Sequence, residues 1–153
     1  MAKVEQFIEK LSRYKKLTLD TNTIIYFLDG VPEFIDLLTP VFEMIELGRL
    51  KAVISVISEA ELLLKPHREA NNAAIEAVMF FLDEFPNFNI VPVNREISQQ
   101  AAKICADLSI RLPDAIILAT ALNTESDLLL GNDLKLMHRA ASCLPAVSLK
   151  DYI

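Results

Sequence analysis

Apolar residues in this chain fall into two patterns. Some form short unbroken runs. Others recur every three or four positions over longer stretches, as on one face of a helix. Val4, Phe7, Ile8 and Leu11 set the helical pattern over residues 2–14. Residues 16–20 are a first strand, and residues 22–29 a helix that Asp29-Gly30-Val31-Pro32 ends. Phe34, Leu37, Leu38, Val41, Phe42 and Ile45 mark a further helix closed by Gly48. Strand two is 51–55. A helix over 58–64 follows, limited by Pro66, and another occupies 67–85, closed by Pro86. Strand three is 89–93, with Pro92 placing it at an edge or a strand end. Asn94 caps a helix to about 108, and Arg111-Leu112-Pro113-Asp114 opens one that ends near 123. Strands four and five lie at 127–131 and 146–149.

The strands are continuous apolar runs separated by helices. That combination predicts a mainly parallel sheet of about five strands covered on both faces, a three-layer α/β/α sandwich with an extra N-terminal helix. The division is a helical extension over 1–15 and one domain over 16–153. No internal repeat, linker or low-complexity segment interrupts it.

In parallel sheets ligands sit outside the carboxyl ends of the strands. This sorts the acids, because few of the 21 lie just past a strand or in the first turns after it. Asp20 ends strand one, where it can equally cap the next helix, with Thr21 or Asn22 as competing caps. Glu61 follows strand two, and Ser58-x-x-Glu61 reads locally as a capping box. Asp114 heads a helix whose i+3, i+4, i+7 and i+8 residues are Ile117, Leu118, Ala121 and Leu122. A helix N-terminus favours an acid there, but does not explain one on the apolar face, since a half-buried carboxylate needs a partner. Asp133 follows strand four in Gly131-Asn132-Asp133, which is also ordinary turn chemistry. Each acid alone has a local explanation. Together they would form a carboxylate cluster without His or Cys, which suits Mg²⁺ or Mn²⁺, and close carboxylates repel unless a cation or proton intervenes. Metal-assisted attack of water on a phosphodiester is the natural chemistry of such a site.

Charge changes the picture once. The net charge is −6, the reverse of a protein that coats nucleic acid by basic surface. Two bound divalent cations would bring −6 to −2 and put positive charge at the site itself. With 52% apolar residues and a mean hydropathy of +0.32, the chain can bury a substantial core. Cys105 and Cys143 have no metal or redox spacing, and Cys105 reads as a reduced core thiol. No signal peptide or membrane-length apolar run is visible, so the expected location is cytoplasmic.

Four segments carry a family resemblance: Leu19-Asp20-Thr21-Asn22; Ile54-Ser55-x-x-Ser58-x-x-Glu61-Leu62; Leu112-Pro113-Asp114-Ala115-x-x-x-Ala119-Thr120-Ala121-Leu122; and Leu129-Leu130-Gly131-Asn132-Asp133. Their order and spacing resemble a PIN domain, and most nearly the small VapC-type ribonucleases. The resemblance covers nearly the whole chain from Leu17 onward. It implies a metal-dependent endoribonuclease in which Asp20, Glu61 and Asp114 are the core acids around Mg²⁺ or Mn²⁺. Asp133 is the fourth, and Asn22 and Ser55 are supporting polar positions. It also implies RNA as substrate, an antitoxin protein as partner for members that are toxins, and a homodimer. The alternative is a catalytically silent PIN-like module that binds RNA or a protein. Two departures stand out. Gly131 occupies a position where the family usually has Thr or Ser, removing a hydroxyl. Residues before the first strand are more numerous than in toxins of this type.

Other chemistries lack their signatures. There is no G-x-S-x-G elbow, P-loop or G-x-G-x-x-G. An aspartyl-phosphate phosphatase would place a second acid where Asn22 stands. His67 and His138 fit no metal pair; His67 reads as surface and His138 as a candidate substrate contact. Arg111, Lys135 and Arg139 flank the downstream acids as candidate phosphate contacts, or as solvated surface cations.

Overall fold

A computed structural model describes residues 2–153 of the chain, so Met1 of the expected extension lies outside the described residues. Five strands, β1 (Lys16–Leu19), β2 (Lys51–Ser55), β3 (Phe88–Val91), β4 (Leu128–Gly131) and β5 (Ala146–Ser148), form one parallel sheet in the order β3-β2-β1-β4-β5. The register places Leu17 beside Ala52 on one side and Leu128 on the other. β1 is therefore central, and the strand order reverses between β1 and β4. The crevice at such a reversal is where parallel sheets bind ligands. β3 is the edge strand that Pro92 foreshadows.

Side-chain alternation along the strands divides the core into two layers. Leu17, Leu19, Ala52, Ile54, Leu128 and Leu130 face one cluster, with α2 (Thr21–Asp29) and α3 (Ile35–Glu46). On that side Phe27 stacks on Phe42 with centroids 3.8 Å apart, and Phe42, Phe81 and Phe85 extend the aromatic contact to α5 (Asn72–Glu84). Leu129 faces the other layer, with α6 (Arg95–Leu108), α7 (Leu112–Asn123) and α8 (Leu134–Ala140). Both faces of the sheet are covered, which is why its strands lack a polar side. The chain ends in a single 3₁₀ turn, Leu149–Tyr152.

The helix α1 (Ala2–Leu11) packs with the first layer: Phe7 and Leu11 have no exposed surface. α2 is closed by Gly30 in the left-handed region (φ 60), while Val31 N–H donates to Tyr26 O.

Two expected boundaries are different. α4 runs from Val56 to Arg68, starting directly from the strand, so Ser55 is its cap and Ser58 lies inside it. The predicted Ser58–Glu61 capping box does not form. Pro66 does not limit α4 either. It removes one donor within the last turn, and the stop falls at Glu69 and at Ala70, whose φ is 49°. α5 then begins at Asn72, with Asn71 Oδ1 accepting from Ala74 N–H at 3.0 Å.

Phe7→Ala should cost about 3–5 kcal/mol, the usual range for emptying a buried aromatic site. A denaturation midpoint unchanged from the parent chain would show that α1 is not part of the cooperative core.

Candidate active site

Asp20 ends β1 and starts α2. Its N–H donates to Leu130 O of β4 at 2.9 Å, locking together the two strand ends at the reversal. Its Oδ1 accepts from Thr21 N–H at 2.9 Å, so Asp20 is indeed an N-cap. Its side chain is nevertheless buried, with the residue 5% exposed. Oδ2 accepts no hydrogen bond among the described residues and lies against Gly131. A Cβ built on Gly131 would stand 3.3 Å from that oxygen, 3.1 Å from Asp20 Cβ and 2.7 Å from Met137 Cε. Gly131 has no positive φ, so a side chain there would meet close contacts rather than backbone strain, chiefly the flexible end of Met137 and the Asp20 side chain. The methyl of Met137 fills the place where a side chain at 131 would begin.

Glu61 lies two turns into α4. Its Oε1 accepts from Thr21 Oγ1 at 2.7 Å, and the same hydroxyl is 2.7 Å from Ser58 Oγ. Thr21 and Ser58 are buried, so this network holds Glu61 against the start of α2. Ser55 is fully buried at the end of β2, where its Oγ caps α4 by accepting from Ile57 N–H at 3.2 Å. Asn22, in contrast, is exposed and makes no side-chain hydrogen bond among the described residues. The sequence pointed to Asn22, whereas the adjacent Thr21 makes the contact. The fold buries Thr21 and Thr23 and leaves Asn22 exposed, and nothing local in Thr21-Asn22-Thr23 marks that difference.

Asp114 is in the first turn of α7, with its side chain 12% exposed. The partner that its burial requires is Arg111, whose Nε donates to Oδ2 at 3.1 Å and Nη2 to Oδ1 at 3.4 Å. Asp133 is exposed and caps α8, its Oδ1 accepting from the N–H groups of Lys135 and Leu136 at 3.0 and 3.2 Å. Asn132, which sequence reasoning did not single out, is 6% exposed, and its Nδ2 donates to Tyr26 Oη at 3.2 Å. Its Oδ1 is the one buried side-chain polar atom without a partner among the described residues.

Among the flanking cations, Arg139 is committed elsewhere. Its Nη1 donates to Ser109 O at 2.6 Å and Leu108 O at 3.3 Å, satisfying the end of α6. Lys135 is exposed, as are His67 and His138. Cys105 is a free thiol whose Sγ donates to Ile110 O at 3.0 Å.

The acids act on one another. Burial, then the charge of Asp114, raises the Asp20 pKa to about 6; Glu61 and Asp133 add to the rise, and the Thr21 N–H opposes it. Asp20 therefore ionises only against the field of three other carboxylates. Such a group needs a proton or a cation. The donors are all oxygen, which fits a hard divalent ion and excludes a soft one. Among the described residues, no three His, Cys, Asp or Glu side chains already converge as a closed ligand group. Arg111 neutralises one of the carboxylates, Asp114. Beside Glu61, a cavity of about 400 Å³ opens between α2, α4 and α5, lined by Ile25, Leu28, Leu62, Ala74 and Val78.

A parallel five-stranded sandwich with acids gathered where β1 and β4 end defines a class of fold, and comparison with known proteins places the chain within it. The PIN domain family model matches residues 17–141, and the chain belongs to that family. Solved structures share its fold. One chain of a VapBC2 complex from Rickettsia felis, bound to a promoter DNA fragment, is 17% identical, with a TM-score of 0.69 over 87% of this chain and 98% of that one. A chain of VapBC-1 from nontypeable Haemophilus influenzae is 23% identical, with a TM-score of 0.67 over 88% of this chain and 98% of that one. A chain of a toxin-antitoxin complex from Klebsiella pneumoniae is 22% identical, with a TM-score of 0.67 over 87% and 97%. No curated protein matches the chain.

The raised pKa fixes the sign of a pH effect. Asp20 binds its proton more tightly folded than unfolded, so stability falls as pH rises from about 4 through about 6 and the cost is complete above that. Asn at this position keeps the capping oxygen and removes the charge. In chelator at pH 7, Asp20→Asn should be more stable than the parent by about 2–3 kcal/mol, and the gap should close near pH 4. Urea midpoints across this range test it. A variant no more stable than the parent at pH 7 would mean that Asp20 is not under electrostatic stress.

Proposed function

We propose that this PIN domain is a metal-dependent endoribonuclease and the toxin of a toxin–antitoxin pair. The observation that carries the reading is Asp20: a buried carboxylate with a free oxygen, set against Asp114, Glu61 and Asp133 at the strand reversal. Members of this family are generally nucleases. The all-oxygen donor set favours Mg²⁺ or Mn²⁺.

In this reading Asp20, Asp114 and Glu61 hold the ion and Asp133 assists. When bound, the ion supplies positive charge against the phosphate oxygens and acidifies the attacking water. The protein residues have distinct tasks. Thr21 and Ser58 keep Glu61 directed at the site. Ser55 fixes the origin of α4 and hence the position of Glu61. Asp20 Oδ2 and Glu61 Oε2, neither engaged by the protein, are the oxygens available to a ligand.

RNA is the proposed substrate, reached despite the net charge of −6 because the ion and Arg111 place positive charge at the site alone. An antitoxin protein is the proposed partner, supported by the VapBC complexes that share the fold. Its segment would lie in the cavity that Glu61 helps to line, where apolar residues sit beside Asp29, Lys65 and Glu69. We further propose a homodimer and a cytoplasmic location; none of the described helices is long and apolar enough to cross a membrane.

Cleavage of a labelled single-stranded RNA in Mn²⁺ tests the reading. Asp20→Asn and Asp114→Asn should each lose more than the roughly 10–100-fold that removal of an outer supporting group costs. Asp133→Asn should lose less, because an Asn at that position still caps α8 and the side chain is exposed. Full activity in Asp20→Asn, or an activity indifferent to chelator, would refute the proposal.

A further inference from the structure

Among the described residues, the one ion pair at the site joins an exposed arginine to a buried carboxylate. Arg111 is the residue before α7 and its side chain makes no capping hydrogen bond. Instead the guanidinium folds forward over one turn and takes both oxygens of Asp114, at 3.1 and 3.4 Å. Asp114 is held in place, with its side chain 12% exposed, whereas that of Arg111 is 76% exposed. Among the described residues Arg111 donates to no other side chain or carbonyl. Asp114 above all, and then Glu61 and Asp20, favour its charge. Arg111 is thus the counter-ion of Asp114, Glu61 and Asp20 together, fixed through Asp114 alone.

Three physical points follow. A fork that occupies both Asp114 oxygens competes with any cation that needs one of them. The guanidinium is largely exposed and returns to water at little cost, while the buried Asp114 keeps a partner only if a cation replaces it. A guanidinium freed at the mouth of an acidic site matches the geometry of phosphate oxygens.

We propose that Arg111 is an exchangeable counter-ion: it occupies Asp114 in the metal-free protein, yields that carboxylate to a divalent cation, and then pairs with a phosphodiester oxygen of the substrate. This rests on the nuclease reading above and adds a residue with two alternative partners. Arg111 becomes both a restraint on metal loading and a substrate contact. The two roles pull metal affinity and substrate affinity in opposite directions, which a merely structural salt bridge would not do.

The experiment is Mn²⁺ binding without RNA, followed by electron paramagnetic resonance of free Mn²⁺, in the parent chain, Arg111→Gln, Arg111→Lys and Asp20→Asn. Arg111→Gln should bind Mn²⁺ roughly 3–10-fold more tightly, as loss of one exposed competing charge predicts. Arg111→Lys, which keeps the charge without the fork, should fall between the two. At saturating Mn²⁺, Arg111→Gln should raise KM for RNA about 10-fold with a smaller change in kcat. Unchanged or weaker Mn²⁺ binding in Arg111→Gln overturns the proposal while leaving the nuclease reading intact. Mn²⁺ binding that is absent in the parent chain, or the same in Asp20→Asn, overturns both. Tighter Mn²⁺ binding without any RNA cleavage would keep the exchange at Asp114 and remove the substrate half together with the nuclease reading.

Discussion

Four carboxylates at one edge of a sheet repel each other, and the most buried of them, Asp20, pairs with no cationic side chain among the described residues. Much of the local structure follows from keeping that residue in place. Its backbone is tied to β4 through Leu130 O, and its Oδ1 to the start of α2. Gly131 leaves room beside it that Asp20 and the end of Met137 occupy. Thr21 is drawn into the hold on Glu61 because it begins the helix that Asp20 caps. What these bonds leave open is Asp20 Oδ2.

Capping and site formation are not rival explanations for these residues. Asp20, Ser55 and Asp133 each cap a helix, and Asp114 occupies the first turn of another. The helices α2, α4 and α8 begin at the carboxyl edge of the sheet because β1, β2 and β4 feed them there, whereas α7 follows α6 and brings its first turn to the same acids. Helix N-termini favour negative charge, so the edge that needs caps is also the edge where carboxylates can accumulate. A cluster that would be prohibitive on an ordinary surface is partly supported by the backbone.

That support is uneven. Asp133 gives one oxygen to two amides and is open to solvent, whereas Asp20 is enclosed and carries the rise in pKa. The absent hydroxyl at position 131 therefore bears on Asp20 more than on Asp133. Positive charge near the site is scarce: Arg139 is spent on the end of α6, which leaves Arg111 as the cation paired with the cluster. On the proposed RNA reading, a chain of net charge −6 has to concentrate positive charge at the point of contact, through a bound ion or a single arginine.

The parallel sandwich was legible from the sequence because its signals are local and repeated. Short apolar runs without polar alternation, set between helices, fit strands covered on both faces, and β1, β2, β4 and β5 fall where such runs occur. The acids past strand ends were legible for the same reason, since the topology sends every strand's end to one side. Asp114 was marked by heading an apolar face. Helix limits at Ser58 and Pro66 were misread because propensity is weak against tertiary context. Ser58 is needed as a buried partner for Thr21, and a proline in a final turn costs only one donor. The exchange of roles between Asn22 and Thr21, the fit of Gly131 between Asp20 and Met137, and the fork from Arg111 to Asp114 were decided only by the fold. They depend on distances between segments brought together by strand order, and a single sequence carries no record of those distances.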